Sequence, residues 1–127
     1  MADNLTDTVE NQLLDALVGT AAFSVTTPIK LALVTANGSD SAAGTEVSGG
    51  SYSRQSISFG AASGGSITNS AKVTFANMPT ATVVGIELWD SAGTPKRLAY
   101  GSLTASKSLV SGDTLEFAAS SVSLTLG

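Results

Sequence analysis

Up to Gly19 the apolar residues of this chain recur at every fourth position; beyond it they alternate with polar ones. That change of period is what most limits the folds open to the chain. Leu5, Val9, Leu13 and Leu17 stand at i, i+4 spacing with Ala16 close by, so residues 5–18 read as an amphipathic helix with one apolar stripe. Asn4 or Thr6 can cap its start, and acids in the first turns suit the positive end of the helix dipole. Gly19 can supply the left-handed residue that ends it. The stripe must be covered, either by the rest of the chain or partly by a neighbouring subunit.

After Gly19 the pattern predicts strands. The runs are 28–36, 52–59, 71–78, 82–89, 97–105, 113–118 and 121–126. In the first, Ile29, Leu31 and Leu33 fall on one face. "TVVGIELW" (82–89) is apolar on both faces, which predicts a central, covered strand. Turn-forming stretches separate the runs: "NGSDSAAG", "SGGS", "GAASGG", "SAGTP" and "SGD". About seven strands at this spacing predict an antiparallel β-sandwich, jelly-roll or Greek-key like, following an N-terminal helix. The organisation expected is a helical arm over 1–20 and a β-sandwich domain over 21–127. Residues 37–51 are the longest stretch without regular pattern, so an exposed, mobile loop is expected there.

Composition narrows the chemistry. The chain has 127 residues, no Cys and no His. Disulfides, thiolate nucleophiles and thiolate metal sites are excluded, and so is the usual general base near neutral pH. Net charge is −4. Asp3, Asp7, Glu10 and Asp15 carry all of it, because acids and bases balance in residues 19–127. A neutral body has no electrostatic footprint for nucleic acid, so none is expected as a partner. No apolar run approaches the roughly 20 residues that span a membrane, and the acidic N-terminus lacks the basic region of a secretory signal.

The remaining candidates are weighed by residue type and spacing. "TEVSGGSYSRQ" (45–55) sets two glycines before Tyr52 and Arg54. A phosphate-cradling loop would lead into a helix, whereas this one leads into a strand, so the glycines read as a turn. Asn37, Asp40 and Glu46 match no cation-binding loop and read as solvated loop residues. Glu87, inside an apolar strand, needs a cation, and Lys72, Arg54 or Arg97 can supply it. Asp90 reads as the cap of the "DSAG" turn. Tyr52, Trp89 and Tyr100 could make a sugar-stacking platform, but at 6% aromatic content they read as core or interface anchors. No catalytic constellation, cofactor site or metal site emerges.

Three blocks carry a resemblance: Gly44 to Gln55, Gly85 to Asp90 ("GIELWD") and Gly112 to Ala118 ("GDTLEFA"). With the sequence around them, from about Asn11 to Gly127, they resemble a family of small tailed-bacteriophage virion proteins labelled tail fibre or head decoration proteins. Ser53 stands where the family often has Ala, and Leu88 where it often has Phe. The resemblance implies a non-enzymatic structural protein on the particle exterior, assembled in the host cytoplasm. A capsid decoration protein that bridges major capsid subunits is the first expectation, and a tail fibre or tail-tip component touching the host surface is the second. Repeated copies or a homo-oligomer are expected in either case. The helix residues Leu5, Val9, Leu13 and Leu17, with Asp7 and Glu10, are the expected partner contact. Tyr52, Arg54, Glu87 and Trp89 are the expected structural or interface residues.

Overall fold

The fold is mainly β, with antiparallel sheets and one N-terminal helix. The computed structural model describes residues 5–126. Its elements in chain order are α1 (Asp7–Leu17), β1 (Lys30–Ala36), β2 (Thr45–Glu46), β3 (Gln55–Ser56), β4 (Ser66–Thr68), β5 (Val73–Met78), β6 (Ala81–Trp89), β7 (Arg97–Leu109), β8 (Asp113–Phe117) and β9 (Ser123–Thr125). The main sheet runs β2-β1-β6-β7, and β3 shares with β2 the outer edge of β1. β4 pairs with β9, and β5 with β8.

β6 is central, as its doubly apolar pattern predicts. Leu31 and Leu33 of β1 lie opposite Leu88 and Ile86 of β6, and Leu88 lies opposite Ala99 of β7. These side chains form one face of the main sheet. That face shares a single core with Val73 and Phe75 of β5, Leu115 of β8 and Val122 before β9. Burying each such side chain contributes roughly 1.5–3 kcal/mol. Asn69 lies inside this apolar core, fully buried. Its Nδ2 donates to the carbonyls of Ala71 (2.9 Å) and Ala118 (3.0 Å), and its Oδ1 accepts the Val122 N–H (2.9 Å). One amide therefore ties the β4–β5 junction to the C-terminal strands.

The helix starts and stops where its end residues direct. Thr6 Oγ1 accepts the Val9 N–H at 3.4 Å and donates to the Arg97 carbonyl at 2.9 Å. Asn4, the other candidate cap, lies outside the described residues. At the far end Gly19 has φ 80°, its N–H reaches the Ala16 carbonyl (3.2 Å), and the Thr20 N–H reaches that of Asp15 (2.8 Å). This is the paired closure that a left-handed glycine permits. Leu5 bridges Ala99 on β7, and Leu5 and Val9 are buried in the common core.

Two expectations about strands are revised. The 52–59 run forms only a two-residue strand, because Gln55 and Ser56 alone lie opposite Leu31 and Lys30. The 97–105 run extends to Leu109 through a bulge: Gly85 faces Ser102 and Val83 faces Lys107, so Leu103–Ser106 stand opposite Val84 alone.

Candidate functional site

The second face of the main sheet carries charge. Lys30, Ala32, Glu87, Trp89 and Tyr100 share it by register. Glu87 is 1% exposed. Its Oε2 lies 3.2 Å from Arg97 and accepts the Gly44 N–H at 2.8 Å, while Oε1 accepts the Trp89 indole N–H at 3.3 Å. The strand acid thus finds its cation in Arg97. Lys72 instead pairs with Glu116 at 3.2 Å, in an exposed contact.

Arg54 stacks its guanidinium over Trp89, 4.1 Å from the ring centroid. It also grips Glu46, Nη2 to Oε1 at 2.9 Å and Nε to Oε2 at 3.0 Å. Glu46 takes a further hydrogen bond from the Tyr52 hydroxyl at 2.7 Å. Burial pushes the Glu46 carboxyl up, but the hydrogen bonds from Arg54 and Tyr52 outweigh it and hold the group below its ordinary value. Burial, and then the bond to Glu46, push the Tyr52 phenol well above its usual range.

Tyr52 also completes the edge of β1. The Leu33 carbonyl accepts the Val47 N–H at 2.9 Å, after which the chain leaves the sheet. The Leu33 N–H then donates to the Tyr52 hydroxyl at 3.0 Å. The excursion turns on Gly49 (φ 97°) and Gly50 (φ 56°), so the glycine pair is the turn expected of it. The Tyr52 ring stacks on Phe75 at 6.1 Å.

The 37–44 segment is mostly exposed, as expected of the 37–51 stretch, and is strapped across the sheet. Arg97 donates to the Ser39 carbonyl, and Tyr100 to the Asp40 carboxylate. Asn37 donates to Ser102 Oγ at 3.0 Å, and the Asp40 carbonyl accepts the Asp7 N–H at 3.1 Å. Asn37 passes so close over β6 that only glycine fits at Gly85; a Cβ there would also stand 2.7 Å from the Gly101 carbonyl. Asn37, Asp40 and Glu46 are therefore held apart by separate partners. Among the described residues no group of three acids is placed to hold a metal ion.

Asp90 caps the β6–β7 turn as its position predicts. Oδ1 accepts the N–H of Lys96 (2.7 Å) and of Ala92 (3.3 Å), and Oδ2 that of Thr26 (3.3 Å). The Lys96 N–H leads in holding this carboxyl below its ordinary value.

The expected partner-contact residues divide. Leu5 and Val9 face inward, Leu13 packs partly on the core, and Leu17 is 80% exposed. Asp7 is exposed and Glu10 half-buried. The helix has a second apolar face that the i, i+4 reading passes over: Leu14, Leu17 and Val18, at i, i+3, i+4, are all exposed. Beside α1 lies an apolar groove of about 350 Å³, with Leu13, Phe23, Ile29, Phe59, Leu98 and Leu126 among its lining residues. Lys96 stands near it, donating to Gln12 at 2.9 Å and lying 5.0 Å from the Phe23 ring centroid.

The module is β-rich, with paired charges, stacked aromatics and an apolar flank, and Glu87, Arg97 and Asp90 hold loop backbone. A family profile described as podophage GP4 fiber I protein gp80 matches residues 4–125, and the chain belongs to that family of phage fibre proteins. No curated protein matches the sequence. Among the described residues no helix is long and apolar enough to cross a membrane.

Proposed function

We propose that the chain is a non-enzymatic structural subunit of a phage fibre, which docks on a neighbouring tail protein and sits on the outside of a virion assembled in the host cytoplasm. The family match over nearly the whole chain carries this reading. The paired state of the charged cluster supports it, since Glu87, Arg97, Glu46 and Arg54 are spent on one another and on loop backbone. The docking surface is the outer side of α1, where Asp7 and Glu10 sit near the helix start and offer negative charge to a basic neighbour.

A second reading, decoration of the head, keeps the same module and changes its address. It is favoured by the concentration of the net charge in residues 1–18 of an otherwise neutral chain. A small unit that binds only the assembled shell, across major capsid subunits, stabilises that state by its own binding free energy, and many symmetric copies multiply a modest contact. Quantitative mass spectrometry of purified virions separates the two. A fibre subunit appears in a few to dozens of copies per particle, a decoration subunit in hundreds. Absence from purified particles overturns both.

A further inference from the structure

We propose that Asn37–Gly38 is a modification site: the Asn37 carboxamide is lost by spontaneous deamidation, at a rate the 37–44 strap sets and with a product that loosens the strap. Asparagine before glycine is the most labile amide pair in a polypeptide, because no Cβ shields the following backbone nitrogen. The chain holds this pair at a single place. Packing demands both members there. A Cβ at position 38 would stand 2.6 Å from the Gly44 nitrogen, so only glycine fits. Asn37 reaches across β6, its Oδ1 filling the space over Gly85 and its Nδ2 donating to Ser102 Oγ at 3.0 Å. Water reaches the pair, since Asn37 is exposed and Gly38 half-buried. Among the described residues no acceptor takes the Gly38 N–H.

The reaction needs only water. The Gly38 nitrogen gives its proton to solvent and attacks Cγ of Asn37. A N–Cγ bond forms, the Cγ–Nδ2 bond breaks, and Nδ2 leaves as ammonia, taking up a proton. The cyclic imide then adds water. Opening at Cγ leaves an aspartate; opening at the main-chain carbonyl leaves an isoaspartate, whose chain runs through Cβ and is longer by a carbon. The two anchors of Asn37 oppose the first step, because they hold Cγ over the sheet and away from the Gly38 nitrogen. Conversion therefore proceeds through the fraction of molecules whose strap has lifted, and its rate follows that local opening. The product cannot return to the same seat. Its side chain has no N–H to give Ser102, and the longer isoaspartyl chain enters a turn where position 38 has no room for a methyl group. The site is independent of the particle address.

Mass spectrometry of the full chain, incubated folded in mildly alkaline buffer, tests this. The tryptic peptide Leu31–Arg54 holds no other asparagine and no glutamine, so a gain equal to the exchange of an amino group for a hydroxyl assigns Asn37. A mixture of aspartyl and isoaspartyl peptides is expected. The folded chain should convert several-fold more slowly than the same chain in urea. Ser102→Ala, at an exposed position, should speed conversion of the folded chain several-fold, and Ser108→Ala, also exposed on β7, should leave it unchanged. Amides of residues 38–44 should exchange hydrogen faster in the converted protein than in the fresh one. The proposal is overturned if the folded chain stays unconverted after the chain in urea has converted fully, or converts as fast as it does. A rate indifferent to Ser102→Ala, or equal exchange before and after conversion, overturns it as well.

Discussion

The hydroxyl of Tyr52 takes the place of a strand carbonyl for the Leu33 N–H, at 3.0 Å. One side chain thus closes a gap in the β-ladder between β2 and β3. Its own hydrogen goes to Glu46, which Arg54 holds from the other side.

Tyr52→Phe should therefore cost more than a surface substitution. The ring still stacks on Phe75, but the Leu33 N–H loses its acceptor and Glu46 loses a donor. A destabilisation of about 1–3 kcal/mol is expected from the orphaned groups. Urea unfolding measures it; a midpoint equal to wild type would show that water replaces the hydroxyl freely.

The Glu87–Arg97 pair should behave as a strap anchor. Arg97→Ala leaves a carboxylate buried without its cation, at a cost of about 3–5 kcal/mol. It also frees the Ser39 carbonyl, so amides of the 37–44 segment should exchange hydrogen faster than in wild type. Glu87→Gln should also lower stability, because the carboxylate serves Gly44, Trp89 and Arg97. Thermal unfolding and amide exchange read both effects.

Asp90 sets a pH response. Its carboxyl is held below its ordinary value of about 3.9, so its contribution to stability is complete above that value and is lost as pH falls through the native one. The stability gap between wild type and Asp90→Asn should be constant at neutral pH and narrow below about pH 4. Denaturant titrations over that range check it, and a gap that widens in acid would contradict the assignment.

Asn69→Leu should destabilise despite adding apolar volume to an apolar site. The carbonyls of Ala71 and Ala118 and the N–H of Val122 would be left without their partner, at about 1–3 kcal/mol for each group that water cannot reach. Calorimetry should show a lowered Tm, with near-ultraviolet dichroism reporting any loosening around Phe75 and Phe117.

The sequence was most legible where a single residue decides the backbone. Thr6 and Gly19 bound the helix because one offers an oxygen and the other a left-handed φ. β6 was legible because Val83, Ile86 and Leu88 are needed on its covered faces. Glu87 declared its need of a cation, though not that Arg97 would supply it. β2 and β4 escaped notice because two or three residues carry no period, and their pairing is set by β1 and β9. The strap over 37–44 escaped notice for another reason. Several of its anchors are backbone groups, the carbonyls of Ser39 and Asp40 and the N–H of Gly44, and residue types do not record where a backbone group points. The outer helix face was hidden by its overlap with the inner one, both being built from leucines a few positions apart.

The bulge in β7 has a consequence for growth. A thirteen-residue strand at the border of a sheet invites another strand to lie along it, and Ser102–Leu109 carries a single charge and no proline to discourage this. Leu103–Ser106 stand out of register, so a neighbour zipping along that border loses its ladder within a few residues. Any neighbour must then meet this border by side chains and not by a continued backbone ladder, and the kink keeps the border from becoming the start of an endless sheet.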